Sequence, residues 1–311
     1  MSRAVIYQSF GGPEVLELRD VPEPHAGPGE IRIKVAAAGL NPMDWGIARR
    51  PELAAQFGVE LPAGFGFDFA GVVDEAGEGV TAYAVGDRVY GGAMAKAVAD
   101  YIVMPAEPGG SDSISRTPDG ISDEVAATLP VAGHTTMAGL AKLGLHSGDT
   151  VLVGGAAGGV GIFVVQMARL AGARVIGTAS EATFDFLRGL GAEPVAYGPG
   201  LEDRVREMAP DGITAAIDLF GLETLEAAVS LGVAPERITT IAAGPTPPHG
   251  VRASWGGEAG PEELVAITDA IQAGQVTVPI AATFPIEEIH DAVELQASRH
   301  AHGKVVIGLS R

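Results

Sequence analysis

A glycine-rich turn has the residue types and spacing of a phosphate-binding site. Gly155, Gly158 and Gly161 recur every three residues, directly after a short apolar run. Apolar residues at a period near 3.6 follow, and a second apolar segment begins at Arg174. This order predicts a strand, a turn, a helix and a strand, in which backbone N–H groups hold a pyrophosphate. The expected lining residues are Gly155, Ala156, Gly158, Gly159, Val160 and Gly161.

The end of the second strand, Thr178-Ala179-Ser180, bears on the choice of dinucleotide. NAD-binding folds usually place an acidic residue there to hold the ribose hydroxyls. A hydroxyl tolerates a 2′-phosphate that a carboxylate would repel, so Thr178 and Ser180 favour NADPH. NADH remains the alternative, because Glu181 follows directly and no basic residue appears before Arg188.

Composition excludes several classes of protein. The 311 residues carry a net charge of −19, which disfavours binding to nucleic acid and to anionic membranes. There is no cysteine, so disulfides, thiol catalysis and cysteine-ligated zinc are excluded. We see no signal peptide and no apolar run of membrane-spanning length, and we expect a cytoplasmic protein.

Two styles of sequence divide the chain. Residues 1–117 are rich in short strands and turns, which predicts a small, partly closed β-barrel. Residues 118–273 alternate helix and strand patterns, which predicts a doubly wound parallel sheet. Residues 274–311 return to the first style. We therefore expect an α/β protein whose nucleotide-binding domain is inserted into the barrel domain.

Several short motifs carry a resemblance to a known family. They are Ala38-Gly-Leu-Asn-Pro-Met-Asp44, Gly66-Phe-Asp-Phe-Ala-Gly-Val-Val73, Gly86-Asp-Arg-Val89, Leu129-Pro-Val-Ala-Gly133, Gly189-Leu-Gly-Ala192 and Gly303-Lys304, together with the glycine turn. In this order the chain resembles the medium-chain dehydrogenase/reductase superfamily, and within it the zinc-independent, zeta-crystallin-like quinone oxidoreductases. The resemblance implies a GroES-like catalytic domain, a Rossmann domain that binds NADP(H), and a homodimer.

The resemblance also implies roles for single residues. Zinc-dependent relatives carry cysteine at the position of Asn41 and histidine at that of Phe67, so no zinc is expected. Asn41 would orient the substrate through a hydrogen bond. Asp44 would assist it, or would only cap a helix. His134 would donate a proton, or would only pack or cap a helix.

Further residues are expected near cofactor or substrate. The resemblance places near the cofactor Thr135, Tyr197, Phe220, Ile241, Ala242 and Lys304. Lys304 has a purely structural role as its alternative. The expected substrate pocket contains Trp45, Phe67 and Trp255. Trp45 could instead pack in the barrel core, and Trp255 could instead pack on the surface.

Together these inferences predict an NADPH-dependent, zinc-free reductase of a quinone or an α,β-unsaturated carbonyl. Such acceptors need only hydrogen-bond stabilisation of the oxygen that gains charge. A pathway-specific enoyl reductase or a cyclase-like relative in secondary metabolism is one alternative. A non-catalytic NADPH-binding protein, acting as a sensor or binding RNA, is an alternative of another class.

Overall fold

The computed structural model describes residues 1–309, in two compact units. The first contains residues 1–131 and 280–309, and the second contains residues 132–279. These limits lie later in the chain than the domain boundaries that we predict from the sequence. Within the described part of the chain, no helix has both the length and the apolar character needed to cross a membrane.

Sixteen strands and ten α-helices are described in residues 1–309. The strands are β1 (Ser2–Tyr7), β2 (Glu17–Val21), β3 (Glu30–Leu40), β4 (Ala63–Gly64), β5 (Asp68–Ala76), β6 (Arg88–Gly92), β7 (Tyr101–Pro105), β8 (Ser113–Arg116), β9 (Thr150–Gly154), β10 (Arg174–Ala179), β11 (Glu193–Ala196), β12 (Ala215–Asp218), β13 (Ile238–Thr240), β14 (Arg252–Ala253), β15 (Ile280–Pro285) and β16 (Lys304–Gly308). The helices are α1 (Pro42–Arg49), α2 (Pro51–Gln56), α3 (Asp123–Ala126), α4 (Leu129–Leu143), α5 (Gly161–Leu170), α6 (Phe184–Leu190), α7 (Leu201–Met208), α8 (Glu223–Ser230), α9 (Pro261–Gln272) and α10 (Ile289–Ser298).

The first unit is built around β3, the longest strand. It pairs with β5, β7 and β16 in a seven-stranded sheet, while β1, β2 and β4 form a second sheet. Ile31, Ile33 and Val35 on β3 are buried, and Lys34 between them is exposed. This alternation is that of a strand with one face in the core and the other towards solvent.

The second unit contains a six-stranded parallel sheet in the order β11-β10-β9-β12-β13-β14. From β9 the chain proceeds to one side through β10 and β11, and then to the other side through β12 to β14. The direction of winding therefore reverses between β9 and β12. The doubly wound sheet predicted from the sequence is confirmed, and its β9 ends where the glycine turn begins.

Two elements of the second unit are short or irregular. A 3-10 turn occupies Glu181–Thr183, between β10 and α6. Between residues 244 and 260 the chain forms β14, which pairs in parallel with β13 and extends the sheet. A two-residue strand carries no readable period, so only its tertiary pairing reveals it.

Candidate functional site

The glycine turn after β9 is held from inside by Thr178. The backbone N–H of Gly155 donates to Thr178 Oγ1 at 3.0 Å, and that of Ala156 donates to the Thr178 carbonyl at 3.2 Å. Gly155 has φ +68°, in the left-handed region. A Cβ on Gly161 would lie 2.4 Å from the Gly155 carbonyl oxygen. The turn therefore needs glycine at Gly155 and Gly161. Thr178 stabilises the turn by accepting hydrogen bonds from its backbone.

Four further predicted cofactor positions lie at one edge of the parallel sheet. Ser180, Tyr197, Phe220 and Ile241 each come one or two residues after β10, β11, β12 and β13. Since parallel strands share one carboxyl edge, all four gather beside the glycine turn, at the reversal point where such sheets bind dinucleotides. Tyr197 and Phe220 are 58% and 59% exposed. The cradle fits a dinucleotide, because it leaves backbone and aromatic surface open.

A buried carboxylate fixes the segment that carries Ile241 and Ala242. Thr240 Oγ1 donates to Asp218 Oδ2 at 2.9 Å and accepts from the backbone N–H groups of Ala242 and Ala243. Burial raises the pKa of Asp218, and the hydrogen bond from Thr240 opposes that rise. The network gives the backbone after β13 a defined course at the open edge of the sheet.

Hydroxyls stand at the end of β10, where cofactor selectivity was expected. Ser180 Oγ and Thr183 Oγ1 lie 3.1 Å apart, and Thr183 Oγ1 also donates to the Ser180 carbonyl. Arg188 forms an ion pair with Asp185 at 2.6 Å. The position expected to meet a 2′-phosphate is therefore neutral at Ser180 itself.

His134, Thr135 and Trp255 share one neighbourhood in the second unit. A Cβ on Gly256, the residue after Trp255, would lie 3.2 Å from Thr135 Oγ1 and 3.3 Å from His134 Cβ. The indole of Trp255 is 58% exposed, and the Lys142 ammonium lies 5.5 Å from its ring centre. The structure thus brings the segment of Trp255 beside His134 and Thr135, from which it is distant in the sequence.

In the first unit, Asn41 lies at the centre of a buried polar cluster. Its Nδ2 donates to Asp68 Oδ2 at 2.8 Å, and its Oδ1 accepts from Lys304 Nζ at 2.6 Å. Asp68 Oδ1 accepts from the backbone N–H of Val131 at 3.0 Å. Asn41, Asp68 and Lys304 are 3%, 0% and 3% exposed. The predicted cofactor residue Lys304 therefore contacts the predicted catalytic residue Asn41.

Strand register explains this meeting. Gly39 on β3 pairs with Asp68 on β5, and Leu40 pairs with Val305 on β16. Asn41 follows β3 directly and Lys304 begins β16, so both reach the same end of the sheet. A Cβ on Gly39 would lie 2.1 Å from the Ala127 carbonyl oxygen, so glycine there lets the chain before α4 approach closely.

Asp44 is the second carboxyl group of this cluster. It occupies the first turn of α1, and its Oδ2 accepts from the backbone N–H of Asn41 at 2.8 Å. This contact fits the helix-capping alternative for Asp44. Burial, and then the negative charge of Asp68, raise the pKa of Asp44 to about 8. Burial also raises the pKa of Asp68 and lowers that of Lys304.

The two aromatic residues of the expected substrate pocket differ in their surroundings. Phe67 is buried, and its ring lies where a Cβ on Gly92 would be, 2.1 Å from Phe67 Cε1. Trp45 packs half-buried against the core of the first unit, and its indole N–H donates to Gln296 Oε1. The packing alternative describes the observed contacts of Trp45; its contact with a substrate stays a prediction.

Sequence reasoning missed Asp68. The residue stands in the otherwise apolar run Phe67-Asp-Phe-Ala-Gly-Val-Val73. A lone carboxylate in such a strand must be paired when buried, and that was the available signal. Among residues 1–309, no cluster of three or more His, Cys, Asp or Glu side chains that could hold a metal ion is found.

Comparison with known proteins identifies the family. The alcohol dehydrogenase GroES-like domain matches residues 27–107, and the family described as zinc-binding dehydrogenase matches residues 190–307. A quinone oxidoreductase of Pseudomonas aeruginosa is 33% identical, with 99% of each chain covered. The chain belongs to the quinone oxidoreductases of the medium-chain dehydrogenase/reductase superfamily. The protein is therefore an oxidoreductase that uses a nicotinamide cofactor.

Two other similar proteins carry informative names. The NADPH-dependent alkenal/one oxidoreductase of Arabidopsis thaliana chloroplasts is 29% identical, covering 98% of this chain and 79% of the relative. A mycobacterial protein solved with NADPH is 29% identical and superposes with a TM-score of 0.85, covering 99% of this chain and 100% of that one. These likenesses confirm the fold class of this quinone oxidoreductase family member.

Proposed function

We propose that this protein reduces quinones or α,β-unsaturated carbonyl compounds with NADPH and without zinc. The observation that carries the proposal is the buried Asn41 amide, held between Asp68 and Lys304. An amide in that setting offers a hydrogen bond to an oxygen that gains negative charge. The quinone oxidoreductase and alkenal/one oxidoreductase names of two relatives support the same substrate classes.

A bound nicotinamide supplies the hydride in this chemistry. The chain's own residues bind and orient. The glycine turn and the start of α5 would hold the pyrophosphate, and the exposed Tyr197 and Phe220 would offer flat apolar surface along the carboxyl edge. Asn41 donates to the acceptor oxygen, which lowers the barrier by stabilising charge that forms in the transition state. His134 is proposed as a proton donor to the enolate carbon.

Zinc independence is argued from the donor set at the site. The only Asn41 atom that could bind a metal, Oδ1, already accepts from Lys304 Nζ, and a cation close to the Lys304 ammonium would meet repulsion. Phe67 presents an apolar ring. We therefore propose that hydrogen bonding at Asn41 takes the role that a Lewis acid has in alcohol oxidation.

The preference for NADPH rests on the end of β10. Ser180 places a hydroxyl where a carboxylate would select NADH, and Thr183 adds a second hydroxyl 3.1 Å away. The chloroplast relative is named as NADPH-dependent, and the mycobacterial protein was solved with NADPH. A neutral polar position accommodates the 2′-phosphate without charge repulsion.

The deciding experiment measures nicotinamide oxidation by protein that has been treated with a chelator and dialysed. NADPH and NADH are compared with an ortho-quinone and with an enone as acceptors. We expect turnover that prefers NADPH, resists chelation and falls about 100-fold in Asn41→Ala, as for loss of one transition-state hydrogen-bond donor. Lys34→Met, at an exposed position on β3, serves as the control.

Other outcomes point elsewhere. Activity that is lost on chelation and restored by Zn²⁺ would contradict the zinc-free proposal. Tight NADPH binding without turnover of either acceptor would favour a pathway-specific enoyl reductase, a cyclase-like enzyme or a non-catalytic NADPH-binding protein. The homodimer expected from the resemblance stays a prediction that light scattering of the purified protein would check.

A further inference from the structure

We propose that Lys304 is a positioning residue, which fixes the orientation of the Asn41 amide so that an N–H group rather than the oxygen faces the substrate. This inference rests on the proposed function, and it assigns a role to a residue outside the expected catalytic set. Its basis is one pair of contacts: Lys304 Nζ to Asn41 Oδ1 at 2.6 Å, and Asn41 Nδ2 to Asp68 Oδ2 at 2.8 Å.

The chemical types of the two partners determine the orientation. An ammonium group only donates hydrogen bonds, so it must face the amide oxygen. An ionised carboxylate only accepts, so it must face the amide nitrogen. Turning the amide by 180° would place Asn41 Oδ1 against Asp68 and Asn41 Nδ2 against Lys304. Both contacts would then be repulsive, in surroundings where the three side chains are at most 3% exposed.

The arrangement leaves one hydrogen of the Asn41 amide for another acceptor. An amide nitrogen carries two hydrogens, and the contact with Asp68 uses one. The ammonium at Oδ1 draws electron density from the amide, which makes the remaining N–H a stronger donor. Such a fixed donor suits a quinone or enone oxygen, which becomes more negative as hydride arrives.

Removing the Lys304 charge would undo this arrangement. Asp68 and Asp44 would remain as two buried carboxyl groups without their cation, and the coulombic support of Lys304 for both ionised forms would be lost. Asp68 would then take up a proton and could donate to Asn41 Oδ1. The amide would turn, and its oxygen would repel the substrate oxygen. Lys304 therefore acts through Asn41, and the effects of changing both residues must overlap.

The kinetic test is a double-mutant cycle of Lys304→Met and Asn41→Ala, with Lys34→Met as the matched control. Single-turnover oxidation of NADPH by an ortho-quinone is measured for each protein. We expect each single variant to lose about 100-fold, as for loss of one transition-state donor, and the double variant to lose no more than either one. Losses that multiply to about 10⁴-fold, or an unchanged rate in Lys304→Met, would overturn the proposal.

A second readout does not need turnover. Asn41 is the only asparagine in the 311 residues, so protein labelled with ¹⁵N-asparagine gives a single side-chain amide signal pair. We expect both resonances to move in Lys304→Met and to stay in place in Lys34→Met. Amide resonances that do not move in Lys304→Met would contradict the positioning role, even if no acceptor is turned over. If Lys304→Met does not fold, Lys304→Gln with Lys34→Gln replaces it in both tests, because glutamine also removes the charge, and the same losses and shifts are expected.

The two readouts separate failure of this inference from failure of the proposed function. If the wild-type protein has no reductase activity but its amide signals depend on Lys304, the proposed function fails and the positioning role stands. If the wild-type protein is active but neither its rate nor its amide signals change in Lys304→Met, the proposed function stands and the positioning role fails.

Discussion

The carboxylate of Asp44 accepts a hydrogen bond from the backbone N–H of Asn41 at 2.8 Å, inside the first turn of the helix that Asn41 begins. The contact joins a structural cap to a catalytic candidate, because both residues belong to one buried cluster. The contact holds the carboxyl group of Asp44 where it is only 5% exposed and near the negative charge of Asp68, and both effects disfavour its ionised form. The stability of the whole fold should therefore depend on pH through the carboxyl groups of this cluster.

Asp44→Asn should flatten the pH dependence of stability. The pKa of Asp44 is raised from 3.8 to about 8, so between these pH values the folded state holds a proton that the unfolded state releases. This group's contribution to the free energy of unfolding therefore falls as pH rises from about 4 to about 8. Urea unfolding at several pH values should show that, across that window, the free energy of unfolding of Asp44→Asn rises relative to that of the wild type. Asp211→Asn, at an exposed position, should run parallel to the wild type.

Gly161→Ala should weaken dinucleotide binding and the fold together. Its Cβ would lie 2.4 Å from the Gly155 carbonyl oxygen and 2.5 Å from that of Ala156, so the turn must open. Overpacking of this kind costs about 1–3 kcal/mol. Gly189→Ala, in α6 with open space around it, should instead stabilise slightly. Thermal melts and NADPH titration check both variants, and normal binding by Gly161→Ala would speak against the assigned turn.

Ser180→Asp should reverse the cofactor preference. A carboxylate at the end of β10 would repel a 2′-phosphate and could hold the ribose hydroxyls of NADH. We expect the ratio of dissociation constants, NADPH over NADH, to rise at least about tenfold, which corresponds to about 1.4 kcal/mol. Ser180→Ala serves as the uncharged control. An unchanged ratio in Ser180→Asp would show that the 2′-phosphate lies elsewhere.

His134→Ala should separate the two acceptor classes. Protonation of an enolate carbon is slow without a positioned donor, whereas the oxygens of a reduced quinone exchange protons readily with water. Turnover of an enone should therefore fall more than turnover of an ortho-quinone. His300→Ala, which removes an exposed histidine of the first unit, serves as the matched control. Equal, near-wild-type rates for both acceptors would remove His134 from the mechanism.

The sequence predicted the nucleotide-binding unit well, because its signals are local. The turn from Gly155 to Gly161 and its flanking strand and helix lie within a short stretch, where hydrophobic period and glycine spacing can be read directly. The carboxyl-edge positions of Ser180 and Phe220 then follow from the parallel order of the strands. Their contacts with a cofactor remain predictions.

The polar cluster of the first unit was much less accessible to sequence reasoning. Asn41 and Lys304 are 263 positions apart, and only the antiparallel pairing of β3 with β16 brings them together. Lys304 was expected to face the cofactor or to be structural, and nothing in its neighbours indicated Asn41 as its partner. Asp68 is hard to recognise from the sequence because it stands in an otherwise apolar run, which indicates only a buried strand. Partners of buried charges depend on strand register, which single-sequence patterns do not specify.

The position of β16 between β15 and β3 has a consequence for biosynthesis. The ribosome makes β3 and β5 early, yet the strand that brings Lys304 emerges only after all of residues 132–279 have been made. Until then, the two carboxyl groups at Asp44 and Asp68 have no cation beside them, and the end of β3 has an open edge. The first unit thus cannot complete its sheet at a stage of synthesis when every residue of the second unit has already been made.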